Sequence, residues 1–441
     1  MAERTLFGTD GVRGKANVDL TPDMALGLAR AAGAGTRGVA VVGRDTRRSG
    51  QMLANAVHAG FHSAGLDTVD LGIIPVGGVS YLIQAEEAVF GVMVSASHNP
   101  AEDNGIKFFG PDGAKLDDDA EAAIEARYLS AAGSGLTPSG EDVGSRIDLA
   151  DATERYVAHL TAQADGRLDG MEVVLDCANG AASRAAPVLL ESLGAEVTTL
   201  FDTPTGMNIN DGCGAVAPEA LAERVDGRVG VAFDGDADRC IAVDEDGVVC
   251  DGDVIMAILA RHLHQRDELP GELVVATVMS NLGFKMAMRG MGVDVVETPV
   301  GDRYVTEELR RRGAGLGGEQ SGHVVFRDRP TGDGLLTALR LLEALKAADA
   351  PLRELRRFMT VYPQVLRNVH VRVKERLAEA DAVWSAVERM ERRLGDDGRI
   401  LVRASGTEPL VRVMVEAREA HEAAAIADEL VMSVRSELGE A

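Results

Sequence analysis

From residue 39 onward, short apolar runs of strand length alternate with amphipathic stretches. Val39 to Val42 reads as a strand, a helix begins near Ser49, Thr68 to Leu71 reads as a second strand, a helix follows Pro75, and Val89 to Val94 makes a third strand. Strand-length runs separated by helical spacing imply a parallel sheet covered by helices on both faces. The same grammar returns from Glu172 as EVVLD, a helix from about Ala181 to Leu193, EVTTL, a helix near Pro218 to Val225, and VGVAF. It returns once more as helix Val254 to His264, strand LVVATVM, helix Leu282 to Met291, strand VDVVETP and helix Asp302 to Arg311.

After Pro363 the pattern changes to strand Val369 to Val373, helix Ala380 to Leu394, strands Ile400 to Arg403 and Leu410 to Val415, and a last helix from about Glu422. Strands adjacent in sequence with few crossovers predict an antiparallel sheet with helices on one side. The expected fold class is α/β: three related α/β domains with mixed, mostly parallel sheets, residues 1–150, 151–252 and 253–365, and a C-terminal α+β domain, 366–441. The expected joints are AAGSGLTPSGEDVG (131–144), the region of Asp251 to Asp253, and the segment from Tyr362 to Arg367. Such units bind ligands outside the carboxyl ends of their strands, so one loop from each domain is expected to face one central cleft.

Composition narrows the partner. The 46% hydrophobic and 26% charged residues are ordinary globular usage, and the 50 glycines are spread rather than repeated. A net charge of −25 disfavours attachment to a nucleic-acid backbone or an anionic bilayer, which leaves a small molecule as the expected partner. The four cysteines form no CxxC pair and are too sparse for a disulfide framework, which suits a reducing cytoplasm. The opening MAERTLFGTDGVRG lacks the apolar core of a signal peptide, and no run of about 18 apolar residues occurs. The expectation is a protein neither exported nor membrane-spanning.

Four loops carry chemistry. SASHNP, Ser95 to Pro100, follows the apolar run FGVMV, so a strand delivers a serine-rich turn whose N–H groups can hold a phosphate. Ser97 has the chemistry of a nucleophile, with His98 and the distant His323 available for proton transfer; a capping serine in a plain turn has the same pattern. DGDADR, Asp234 to Arg239, follows VGVAF and places three carboxylates at alternate positions, a set of hard oxygen ligands suited to a divalent cation. A solvated acidic turn is the plainer alternative. An EF-hand calcium loop is a sharper one, with Glu245 at its twelfth position, but that loop needs Gly where Arg239 stands. GGEQSGH, Gly317 to His323, offers Glu319 and Ser321 to a polyol, or is a glycine-rich hairpin turn. RASGTEP, Arg403 to Pro409, with Arg412 in the next strand, gathers guanidinium, hydroxyl and glycine N–H groups into a phosphate clamp, or is a turn with an N-cap.

These four loops, in this order and one per predicted domain, resemble the α-D-phosphohexomutase superfamily over nearly the full chain. GTDGVRG (8–14), VGRDTR (42–47), VGDRYV (300–305) and GEQSGH are similar to the bacterial branch that acts on glucosamine phosphates. Ala237 stands where many relatives carry glycine, a change between two small residues.

The resemblance implies that Ser97 carries a phosphoryl group and that only the phosphorylated enzyme is active. Its phosphate oxygen with Asp234, Asp236 and Asp238 would bind one Mg²⁺. Arg13, Lys107 and Arg239 would be the supporting cations, with Arg44 a further candidate, while His98 and His323 would move protons. Glu319 and Ser321 would grip the sugar, and Arg403, Ser405, Gly406, Thr407 and Arg412 its phosphate. The implied reaction interconverts glucosamine 6-phosphate and glucosamine 1-phosphate through glucosamine 1,6-bisphosphate, feeding UDP-N-acetylglucosamine and cell-wall precursors; a homodimer would suit the family. Phosphomannomutase or phosphoglucomutase activity is the nearest alternative. A Mg-dependent sugar phosphatase and a calcium-binding protein are further ones.

Overall fold

The structure is a computed structural model that describes residues 6–8, 10–130, 138–405 and 408–439. Its strands form four sheets. In the first, Val39–Arg44 lies parallel to both Asp67–Ile73 and Phe90–Val94, as the apolar runs predict. Three further strands extend this sheet: Asp103–Phe109 antiparallel to Phe90–Val94, Val12–Lys15 beyond it, and Arg146–Asp148 at the other edge. Periodicity missed Asp103–Phe109 because it opens on DN and carries Lys107; of these polar side chains the fold buries Asn104 and Lys107.

The second sheet sets Glu172–Asp176 parallel to Glu196–Leu200 and Val229–Phe233, and adds the antiparallel Cys240–Val243. The predicted helix near 218–225 is one turn, Glu219–Ala222, because Asp226 at φ +47° and Gly227 at φ +78° turn the chain out of the helix. In the third sheet Leu273–Thr277 runs parallel to Asp294–Thr298 and to Leu316–Gly318, which turns back as the hairpin strand Val324–Phe326. GEQSG is therefore the turn of this hairpin. Helix Gly334–Ala348 follows, its N-terminus capped by Asp333, whose carboxylate accepts the Leu336 N–H at 3.0 Å.

The fourth sheet is fully antiparallel, with Leu410–Ala417 between Gln364–His370 and Gly398–Ala404. Its first strand lies five residues earlier than VHVRV suggests. The central strand begins at Leu410, opposite His370, and beyond that pair the Val371 N–H still donates to the Pro409 carbonyl at 3.0 Å. Helices Asp381–Leu394 and Ala420–Leu438 bury Val383, Met390, Ile426 and Leu430 in this unit's core.

The chain divides into two compact units, residues 1–279 with 293–358, and 280–292 with 359–441. Helix Leu282–Met291 thus groups with the C-terminal sheet, although it joins two strands of the third. No described helix is long and apolar enough to cross a membrane, and the four cysteines are free and buried.

Candidate active site

Strand Phe90–Val94 ends one residue before SASHNP, and strand Val229–Phe233 one residue before the first Asp of DGDADR, so both loops sit at carboxyl ends of strands. Ser97 adopts φ +51°, a left-handed conformation uncommon for a residue with a Cβ. Its hydroxyl donates to Asp234 Oδ2, across 137 residues of sequence. The chain therefore brings together the serine and the carboxylate trio that the sequence kept apart.

Asp234, Asp236 and Asp238 are all buried, and one oxygen of each lies within 4.8 Å of the others. Burial, with repulsion from Asp238 and Asp236, raises the pKa of Asp234 well above the usual carboxylate value. Asp238 goes the other way, because Lys107, His323 and Arg239 outweigh its burial. Asp236 Oδ1 and Asp238 Oδ1 are buried with no hydrogen-bond partner. Repelling carboxylates with orphaned oxygens this close together fit a small divalent cation with oxygen ligands.

Lys107 is the central cation. It is 2% exposed, and its ammonium donates to Asp236 Oδ2 at 2.8 Å and lies 3.0 Å from Asp10 Oδ2. Burial would depress its pKa, yet Asp10, Asp236 and Asp238 hold it well above the ordinary lysine value. Arg13 pairs with Asp10 and reaches Asn99 Oδ1 at 3.4 Å. Arg239 Nε lies 3.8 Å from Asp238 Oδ1. His98 Nδ1 stands 3.4 Å from the Ser97 hydroxyl oxygen. Burial, then the charges of Arg239 and Arg13, push its pKa down to about 4, so its ring is neutral at pH 7 and able to accept a proton.

A cavity of about 340 Å³ opens beside this cluster, lined by Arg13, His98, Asp238, Arg239, Glu319 and His323 together with Asp10, Lys115 and Asp302. Glu319 is oriented by accepting the Gly301 N–H at 3.0 Å, and the buried Ser321 hydroxyl has no partner. His323 lies between Asp238, 3.7 Å from Nδ1, and Asp302, 3.5 Å from Nε2. Sequence reading gave no role to Asp10, Lys115 or Asp302, yet Lys115 bridges the two aspartates and is largely covered between them. Asp10 and Asp302 stand in GTDGVRG and VGDRYV, far apart in the sequence, so their shared partner Lys115 shows only in the folded chain. Arg44 lies elsewhere: it lines a different cavity with Asp70 and donates to Gln51 Oε1 at 3.1 Å.

In the C-terminal unit, Arg403 and Arg412 face each other in the ladder between two strands. Burial and the charge of Arg412 lower the pKa of Arg403. Lys374 ties down the adjoining loop by donating to the carbonyls of Ser405 at 2.7 Å and Glu408 at 2.9 Å. The Arg412 guanidinium is itself paired with Glu408 at 3.3 Å. Gly406 and Thr407 lie outside the described residues.

Comparison with known proteins agrees with this geometry. The chain matches the phosphoglucomutase/phosphomannomutase alpha/beta/alpha domains I, II and III over residues 4–133, 154–247 and 251–362, and the C-terminal domain of the same family over 368–433. It is 52% identical to the phosphoglucosamine mutase of Leifsonia xyli subsp. xyli, over 98% of this chain and 99% of that protein. It is 49% identical to the phosphoglucosamine mutase of Desulforudis audaxviator, over 97% of each. A crystal structure of a phosphoglucomutase/phosphomannomutase family protein from Burkholderia thailandensis superposes with a TM-score of 0.82 at 27% identity, covering 98% of this chain and 97% of that one. By sequence, by domain order and by fold, the chain belongs to the phosphoglucomutase/phosphomannomutase family, within its phosphoglucosamine mutase branch.

Proposed function

We propose that the protein is an isomerase that interconverts glucosamine 6-phosphate and glucosamine 1-phosphate, with Ser97 as its phosphoryl carrier. The observation that carries this reading is the hydrogen bond from the Ser97 hydroxyl to Asp234, which sets a nucleophile against three buried carboxylates. Asp234, Asp236, Asp238 and a phosphate oxygen on Ser97 would hold one Mg²⁺, which supplies charge neutralisation to a phosphoryl group.

In the first transfer the 1-hydroxyl of glucosamine 6-phosphate attacks the phosphorus on Ser97. A new P–O bond forms to the sugar, the bond to Ser97 Oγ breaks, and glucosamine 1,6-bisphosphate results. After the bisphosphate turns around, Ser97 Oγ attacks the 6-phosphate and frees the 6-hydroxyl, leaving glucosamine 1-phosphate. Each transfer takes a proton from the attacking hydroxyl and returns one to the leaving oxygen. His98, neutral and 3.4 Å from Ser97 Oγ, serves the serine end; His323 serves the sugar end. Lys107, Arg13 and Arg239 neutralise the charge spread over the equatorial oxygens, acting locally because screening falls off over about 8 Å at physiological salt. Glu319 and Ser321 grip the sugar hydroxyls, and Arg403, Ser405, Gly406, Thr407 and Arg412 take the phosphate that is not being transferred.

The Ser97→Ala variant is expected to stay folded by circular dichroism and to lose interconversion altogether. Full activity in that variant rules out the covalent role. A phosphatase with the same acidic loop would release inorganic phosphate from glucosamine 6-phosphate, whereas the mutase is expected to release almost none. Comparing kcat/KM for glucosamine, glucose and mannose phosphates is expected to favour the first.

A further inference from the structure

The string VGRDTR, residues 42–47, ends on a side chain with no part in the chemistry above. Arg47 is 1% exposed and the largest fully buried side chain among the described residues. Its Nε donates to the buried Asp45 carboxylate at 2.8 Å. One terminal nitrogen donates to the carbonyls of Ser97 at 2.9 Å and Asn99 at 2.8 Å. The other donates to the carbonyl of Asp103 at 3.2 Å and to that of Pro100. A single guanidinium thus holds four backbone carbonyls from one short stretch of chain.

The same ion pair also holds the other side of Ser97. Asp45 Oδ2 accepts the Ser95 hydroxyl at 2.7 Å, and the Ser95 oxygen accepts the Ser97 N–H at 2.9 Å. Both backbone groups of Ser97 are therefore tied to the Asp45–Arg47 pair, one directly and one through Ser95. A left-handed serine persists only where its surroundings over-determine it, and this network does so. Asn210, from a distant segment, donates to the same two carbonyls, at 2.9 Å to Ser97 and 3.2 Å to Asn99.

We infer that Arg47 is a positioning residue for phosphoryl transfer: its fork fixes the strained Ser97 backbone so that the hydroxyl faces Asp234, while the side chain itself touches neither sugar nor phosphate. The inference rests on the function proposed above. It explains why arginine is needed. A lysine can neutralise Asp45 but, as a point charge with three donors, cannot span acceptors spread over Ser97, Asn99, Pro100 and Asp103.

The test uses the full-length phosphoenzyme and four variants: Arg47→Lys, Asn210→Ser, the double variant that combines these two, and Arg356→Lys. The last replaces the partner of the buried Asp244, a pair outside the cavity that lines the site, and reports what lost stability alone does to turnover. For Arg47→Lys the expected result is a kcat lower by roughly 100-fold per phosphorylated molecule, with KM for glucosamine 6-phosphate within about threefold of the parent. Asn210→Ser is expected to lower kcat by about tenfold and to be non-additive with Arg47→Lys, since both hold the same carbonyls. If Arg47→Lys does not fold, the same kcat-against-KM split is read from Asn210→Ser. Loss of kcat no greater than in Arg356→Lys at matched melting temperature overturns the inference, as does a change confined to KM. A parent enzyme without turnover contradicts the proposed function instead, so the two failures are distinguishable.

Discussion

Lys115 shows how a chain of net charge −25 keeps cations where anions react. It is largely covered between Asp10 and Asp302, the second of them 187 residues away, and their charges raise its pKa despite desolvation. Lys115→Met removes the cation shared by Asp10, which keeps Lys107 and Arg13, and Asp302, which keeps His323 nearby, and is expected to cost about 1–3 kcal/mol, read from the shift in urea midpoint; a shift under about 0.5 kcal/mol contradicts the pairing. His58 gives a pH prediction away from the site. Burial lowers its pKa from 6.5 to about 4, against the pull of Asp70 and with Arg146 and His62 nearby. The unfolded chain therefore binds a proton that the native state refuses, so the His58 contribution is complete above pH 6.5 and is lost as pH falls toward about 4. Urea unfolding at pH 7 and pH 5 is expected to show a smaller pH dependence in His58→Asn than in the parent; an equal dependence contradicts it. Ser97, His98 and the aspartates were legible because each set is contiguous in sequence. Asp10, Lys115, Asp302 and Arg47 were not, since their meaning is a set of contacts between segments that no local pattern encodes.

At the level of elements, the turn that carries Glu319 is held by the helix beside it. The Gly252 N–H donates to the Gln320 carbonyl at 3.0 Å, and the Gln320 amide returns to Asp251 Oδ2 at 3.1 Å. A Cβ at Gly252, the first residue of helix Gly252–Gln265, would overlap the Glu319 carbonyl. Gly252→Ala is therefore expected to push the turn that carries Glu319 and to raise KM for glucosamine 6-phosphate by about tenfold, with a smaller effect on kcat; unchanged KM in steady-state kinetics contradicts it. The central parallel strands, such as Val39–Arg44, Val229–Phe233 and Leu273–Thr277, were legible as apolar runs, since they are buried along nearly their whole length. Strands Val12–Lys15 and Asp103–Phe109 were not, because they carry Arg13 and Lys107, and a residue serving the site breaks the hydrophobic period by which a strand is recognised.

The whole molecule is two compact units whose boundary does not follow the order of the chain. Asn281 accepts the Tyr362 N–H at 3.0 Å and donates to its carbonyl at 2.9 Å, and the Leu282 N–H donates to the buried Glu416 at 3.1 Å. A fragment of residues 359–441 lacks these partners and is expected to unfold at lower urea than the same fragment with 280–292 fused to it; equal midpoints contradict the assignment. The α/β repeat and the antiparallel C-terminal sheet were readable from periodicity, but the transfer of one helix to another unit was not, because it depends on which surface the helix covers and not on its own pattern. The central claim is that phosphate travels through Ser97, and mass spectrometry with localisation of the modified residue tests it most directly. Enzyme phosphorylated with glucosamine 1,6-bisphosphate is expected to carry one phosphoryl group, on Ser97, and to lose it to added glucosamine 6-phosphate with the bisphosphate as product. Steady turnover by protein whose Ser97 is never phosphorylated, or a phosphoryl group that resides on another side chain, contradicts the account.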